Sequence, residues 1–126
     1  MSKIHEASSS ILSRVPKVNY LVYSAGLMTT AGYTETTEGI DRKLAVHYYG
    51  RWKFANELMP ALVKAKDAGE DARAVFVLSA GHSSPINLDD LGLKKTYSLS
   101  NAAGQASAYN DHLIQVSSSL LSANAL

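Results

Sequence analysis

Several residues of this 126-residue chain could take part in proton transfer or ligand binding. Ser79 ends an apolar run, which is where ligand-facing residues lie in open α/β sheets. Tyr109 could act as a general acid if a cation lowered the pKa of its phenol, which is otherwise about 10. His47 could relay a proton because imidazole both donates and accepts hydrogen bonds. Gly26 follows another apolar run, where a glycine permits a tight turn after a strand.

Three of these residues also have an ordinary structural interpretation. Ser79 could simply turn the chain after a strand. His47 could lie half-buried on a helix face and bond to backbone or water. Tyr109 has Leu113 rather than a lysine four residues on, so packing is the simpler role for its ring. The elements that position these side chains decide between the two interpretations.

Two short apolar runs, residues 18–23 and 74–78, are rich in β-branched and aromatic residues. Such runs are typical of strands buried on both faces of a parallel sheet. Between them, residues 37–66 keep one apolar face at helical spacing. The pattern predicts a βαβ unit, whose two strands run in the same direction.

The remaining signals concern the ends of the helices. Thr36 or Thr37 is predicted to cap the long helix, and Pro60 to kink it. A further helix is predicted from about Asn101 onward, with a thin apolar stripe of alanines. Residues 117–126 form a candidate disordered tail.

Composition excludes several classes of protein. Twelve Lys and Arg balance eleven Asp and Glu, which argues against a nucleic-acid-binding or membrane-surface protein. The chain has no cysteine, so it can form neither a disulfide nor a thiolate metal site. Its four histidines lack the spacing of metal ligands. Without an apolar signal segment or a membrane-length run, we expect a cytoplasmic location.

Four segments resemble, in order, successive parts of the short-chain dehydrogenase/reductase family. Residues 18–28 are similar to its strand and NNAG turn, and residues 37–52 to the long helix that follows. Residues 73–79 resemble the strand that ends in its catalytic serine, and residues 86–98 an insertion of the retinol-dehydrogenase-like branch. The resemblance covers roughly residues 5–115.

The resemblance implies a fold and a reaction. The fold is α/β, a partial Rossmann-type domain over residues 1–126 with about two to three parallel strands and flanking helices. The reaction is hydride transfer between NAD or NADP and a small-molecule carbonyl or alcohol. The family pattern makes Ser79 the match to its catalytic serine and places Ala25, Gly26 and His47 beside the cofactor, with His47 where the family has a relay asparagine.

The chain also departs from the family pattern. No glycine-rich turn that could hold a pyrophosphate occurs in the sequence. Ungapped alignment places Ala103 and Ser107 at the positions of the family's catalytic tyrosine and lysine, and leaves Tyr109 as the nearest tyrosine. The sequence therefore predicts a truncated oxidoreductase that is inactive alone, a pseudoenzyme.

Two other interpretations stay open from the residues. A non-catalytic relative could pair with itself or with a full-length partner through the helix of residues 37–66. Alternatively, the chain could be an unrelated small α/β binding domain. The unrelated domain predicts that the two strands are not adjacent, or that they pair antiparallel.

Overall fold

The computed structural model describes residues 1–79 and 81–123, with side chains described through residue 119. The predicted α/β class is confirmed, because a small parallel sheet is flanked by helices. The helices and strands are, in chain order, α1 (Ser2–Arg14), β1 (Tyr20–Tyr23), α2 (Arg42–Leu44), α3 (Gly50–Asp67), β2 (Arg73–Phe76) and α4 (Leu99–Ala123). A short π-helix at Ala45–Tyr49 joins α2 to α3, and a short 3-10 helix lies at Leu88–Asp90.

The two predicted strands form and lie side by side. β1 pairs with β2 in parallel, with Tyr20 opposite Arg73 and Tyr23 opposite Phe76. Both strands are shorter than the apolar runs that predict them. Parallel pairing through a helical crossover is the βαβ unit that the sequence predicts, and it contradicts the expectation for an unrelated domain.

The two faces of this sheet have different environments. On one face the rings of Tyr23 and Phe76 stack with centroids 4.5 Å apart, and Tyr23 lies near Ile4 of α1 and Phe54 of α3. On the other face Val22 and Val75 stand opposite each other and are 61% and 48% exposed. No described element covers this second face, although parallel sheets are usually buried on both sides.

The long helix begins later than the sequence predicts. Its N-cap is Asp41, whose carboxylate accepts hydrogen bonds from the backbone N–H of Lys43 at 2.9 Å and Leu44 at 3.1 Å. Thr36 instead accepts the backbone N–H of Gly39, which has a φ of 75° that ends any helical run there. Caps at Thr36 or Thr37 are therefore wrong.

The first part of this helix has an irregular turn and a close contact with α1. Ala45–Tyr49 is π-helical, and α3 then continues unbroken through Pro60. A Cβ on Gly50 would lie 2.8 Å from the Ala45 carbonyl oxygen and 3.1 Å from Cδ1 of Ile4. Glycine therefore permits both the wide turn and the approach of α1. The kink at Pro60 stays a prediction.

Helix α4 packs against the start of the long helix. Ala102, Ala106 and Tyr109 of α4 share one buried cluster with Leu44 and Leu93. The predicted alanine stripe is thus the packing face of α4. The helix continues to Ala123, and residues 124–126 of the candidate tail lie outside the described residues. No helix in the described ranges is long and apolar enough to cross a membrane.

Pairing of this chain with itself or with a partner through the long helix stays a prediction. Trp52 of α3 is 46% exposed, and on α4 Ile114 is 37% and Val116 60% exposed. An exposed tryptophan is a common anchor at protein interfaces.

The contact between α1 and α3 generates a first prediction. Oε1 of Glu57 lies 2.7 Å from Lys53 Nζ and 3.1 Å from His5 Nδ1, and these hydrogen bonds lower the Glu57 pKa from 4.5 to about 2. The carboxylate therefore stabilises the fold above about pH 4.5, and this contribution is lost as the pH falls towards 2. We expect Glu57→Gln to lower the free energy of unfolding at neutral pH, and the deficit to shrink as the pH falls below 4.5.

Urea unfolding followed by circular dichroism at several pH values measures this difference. The matched control is Glu6→Gln, because Glu6 pairs with Lys3 on the exposed side of α1. Its effect on unfolding is expected to be small throughout. A deficit for Glu57→Gln that does not change with pH would contradict the assignment.

Candidate functional site

The turn that follows β1 is tied to the long helix by His47. Nε2 of His47 lies 3.2 Å from the backbone nitrogen of Leu27 and 3.0 Å from its carbonyl oxygen. A Cβ on Gly26 would lie 3.3 Å from Cε1 of the same ring. The absence of a side chain at Gly26 therefore lets the imidazole fit beneath the turn. The geometry gives His47 a structural contact at the place where the resemblance puts a relay residue.

Ser79 and Gly26 meet at the same edge of the sheet. Each follows one of two adjacent parallel strands, and the carboxyl ends of such strands share an edge. Both residues line one cavity of about 620 Å³, together with His47 and Lys43. The parallel pairing that the sequence predicts therefore places Ser79 and Gly26 at the same end of the sheet. Their roles in catalysis or cofactor binding stay predictions.

A buried arginine connects the ends of the two strands. Arg51 is 6% exposed, and its guanidinium donates to the carbonyl oxygen of Ala25 and to that of Val77, each at 2.9 Å. Burial lowers the pKa of this guanidinium, since removal from water disfavours the charged form. No described carboxylate pairs with it. The cation is therefore held by backbone dipoles at the edge where the site is formed.

A second, smaller cavity lies behind Ser79. It measures about 100 Å³ and is lined by Ser79, Ala103, Ser107, Asn110 and Arg51, among others. The side chains at positions 103 and 107 are short, so neither fills this space. The two positions that align with the family's tyrosine and lysine therefore line the same cavity as the serine, but they carry a methyl group and a hydroxymethyl group.

Asn110 closes this inner cavity from the helix side. Its Nδ2 donates to the carbonyl oxygen of His47 at 2.8 Å and to that of Ala106 at 2.7 Å. Its Oδ1 is buried without a described hydrogen-bond partner. The side chain thereby satisfies the carbonyl of His47, within the π-helical turn.

Tyr109 is not brought to either cavity. Its hydroxyl donates to the carbonyl oxygen of Leu91 at 3.1 Å, and its ring lies 5.1 Å from that of Tyr48. Burial, more than any neighbouring charge, raises the pKa of the phenol. This environment suits a packing residue, since a general acid at neutral pH needs a lowered pKa.

Three further residues shape the site and were not predicted from the sequence. Arg51 and Lys43 each lie one helical turn from His47, so their spacing could have indicated a shared face. Gln105 gave no such signal. Its side chain bonds to the backbone of Asn87 and Pro85, which fastens the loop after β2 to α4. These bonds join distant parts of the chain.

Within the described ranges, no three His, Cys, Asp or Glu side chains lie close enough to hold a metal ion. Among the described lining residues of the two cavities, the polar side-chain groups are hydroxyls, one amide, one imidazole and the cations of Arg51 and Lys43. Such a set of groups favours hydrogen bonding to a ligand oxygen.

Comparison with known proteins shows sequence similarity to oxidoreductases and dehydrogenases. An oxidoreductase of Emericella nidulans is 36% identical over 99 residues, 79% of this chain and 28% of that protein. A short-chain dehydrogenase/reductase of Penicillium rubens is 31% identical over 107 residues, 84% of this chain and 31% of that protein. Human polyprenol dehydrogenase is 29% identical over 96 residues, 75% of this chain and 28% of that protein. No family model matches.

A solved structure shares the fold. A short-chain dehydrogenase from Streptomyces avermitilis superposes with a TM-score of 0.63 at 20% identity, over 98% of this chain and 40% of that one. This chain is homologous to a segment of short-chain dehydrogenases/reductases. The resemblance found in the sequence is thereby confirmed at the level of the family.

The chain spans about three tenths of the length of the curated relatives it matches. The assignment to the retinol-dehydrogenase-like branch stays a prediction.

The Arg51 contacts generate a second prediction. In Arg51→Met, the carbonyl oxygens of Ala25 and Val77 lose their charge-assisted hydrogen bonds. We expect the free energy of unfolding to fall by about 2 kcal/mol. Losing two such hydrogen bonds lowers it, and removing a buried charge offsets part of that loss. Denaturant unfolding measures the change.

The matched control is Arg42→Met, because Arg42 is exposed at the start of the same helix. We expect an effect within about 0.5 kcal/mol for this variant. Equal stability of the two variants would show that Arg51 does not hold the strand ends together.

Proposed function

We propose that this chain forms the serine-bearing part of an NAD(P)-dependent oxidoreductase site and that it is inactive on its own. The observation that carries the proposal is the shared cavity of Ser79 and Gly26, with Ala103 beside them. Homology to oxidoreductases supports the reaction class, the transfer of a hydride to or from a carbonyl or alcohol. The proposed substrate is a small molecule.

The cavity suits one end of a nicotinamide cofactor better than the whole of it. Leu27, Met28 and Leu99 give it an apolar wall, which fits a flat ring. A pyrophosphate needs a cradle of backbone N–H groups on a glycine-rich turn, and the sequence has none. The residues present therefore do not fit NAD(P) as a whole. Another polypeptide segment would have to hold the phosphates.

Proton transfer is the second missing part. A hydroxyl such as that of Ser79 can polarise a carbonyl, but it needs a neighbouring acid or base to exchange a proton. Ala103 has no ionisable group, and Ser107 cannot supply the cation that would lower the pKa of a phenol. Tyr109 is held in the core by Leu91. These facts support inactivity of the chain alone.

A third prediction follows for cofactor binding. Titration of the chain with NADH and NADPH in a calorimeter should give no binding heat, because the phosphates find no cradle. A dissociation constant in the micromolar range would contradict the proposal that another segment is required.

A fourth prediction tests the reaction class. Residues 18–115 are used to replace the matching segment of an active short-chain dehydrogenase/reductase. We expect this chimera to be inactive, and to gain NAD(P)H oxidation when Ala103→Tyr and Ser107→Lys are introduced together. The gain should be lost again on adding Ser79→Ala.

Absorbance of the reduced cofactor follows the reaction, and the control is the double variant with Ser100→Ala, which changes an exposed serine. That variant should keep its activity. A folded, cofactor-binding double variant without any turnover would contradict the proposed role of this site.

A further inference from the structure

The cavity shared by Ser79 and Gly26 contains one cation and no carboxylate among its described lining residues. The cation is Lys43. Apolar side chains make up most of the wall, with a few hydroxyls and His47. A ligand that matches this lining has an apolar body and a group that pairs with an ammonium.

Lys43 is held in place by neutral partners. Its Nζ donates to the hydroxyl of Tyr97 at 2.7 Å and to the carbonyl oxygen of Ala31 at 2.5 Å, and it lies 5.4 Å from the centre of the Tyr97 ring. An ammonium has three N–H donors, so one is left for a ligand. Two anchored bonds reduce the conformational entropy that ligand binding would cost.

The acidic groups near Lys43 are engaged elsewhere. The buried carboxylate of Asp41 accepts the backbone N–H groups of Thr34, Lys43 and Leu44. Glu35 pairs with Lys94 at 3.1 Å. The ammonium of the half-buried Lys43 therefore has no described counter-ion, an arrangement that an anionic ligand would stabilise.

We propose that this cavity binds an apolar small molecule that carries a carboxylate, with the carboxylate paired to Nζ of Lys43 and Tyr97 positioning the ammonium. The inference rests on the proposed function, because it names the substrate class of that same site. A carboxylate fits better than a phosphate, since a phosphate needs more hydrogen-bond donors than the mostly apolar wall offers.

The test uses two probes of the same shape, 2-naphthoate and 2-naphthamide, titrated into the whole chain at neutral pH with detection by naphthalene fluorescence. We expect the carboxylate to bind about tenfold more tightly than the amide, the effect of one charge-assisted hydrogen bond. Lys43→Met should abolish this preference without weakening the amide. Lys43→Arg, which keeps the charge, should preserve the preference, and Tyr97→Phe should reduce it in part.

The outcomes separate this inference from the proposed function. Equal binding of the two probes to the unchanged chain overturns the carboxylate assignment and leaves the oxidoreductase site standing. This comparison uses the unchanged chain, so its result does not depend on whether a variant folds. Displacement of bound naphthoate by pyrophosphate, dependent on Lys43, would also overturn it, by assigning the ammonium to a phosphate. Binding of neither probe would overturn this inference, and the oxidoreductase proposal, which the chimera tests separately, would stand.

Discussion

The buried guanidinium of Arg51 holds the ends of the two strands together through two hydrogen bonds to backbone carbonyls. A sheet of only two strands is marginally stable in water, so it needs contacts from other elements. Arg51 joins the carbonyl of Ala25 to that of Val77 just beyond the paired residues. It thereby fixes the separation of the two chain segments that carry Gly26 and Ser79.

The site is shaped by small side chains as much as by polar ones. Gly26 admits the ring of His47, and Gly104 admits the loop after β2, because a Cβ at Gly104 would lie 2.6 Å from Oγ of Ser84. Ala103 and Ser107 leave a cavity behind Ser79. The family resemblance expects two long, polar side chains in this region. Ala103 and Ser107 carry short side chains there, and neither can exchange a proton at neutral pH as an ionisable group would.

Much of the fold follows from the sequence, because it rests on local patterns. The apolar runs give the two strands, and the helix between them requires parallel pairing, so Gly26 and Ser79 must meet at one edge. The residue at which the long helix begins could not be predicted from these patterns. Thr36, Thr37 and Asp41 can all cap a helix, and the choice is made by the conformation of Gly39.

The contacts that complete the site could not be predicted in the same way. Arg51 reaches backbone groups 26 residues away on either side, and Lys43 reaches Tyr97 across 54 residues. Such bonds depend on how elements pack, and a single sequence carries no periodic signal for them. The environment of Tyr109 likewise depends on the loop at Leu91, which the sequence shows as irregular chain.

Parallel pairing of β1 and β2 brings Gly26 and Ser79 to one edge of the sheet. Nuclear Overhauser effects in an isotopically labelled sample of the chain report this pairing. We expect cross-peaks from Leu21 to Ala74 and from Tyr23 to Phe76, together with cross-peaks between the His47 ring and the α protons of Gly26. Cross-peaks that run in the opposite order along the two strands, as in antiparallel pairing, would contradict it.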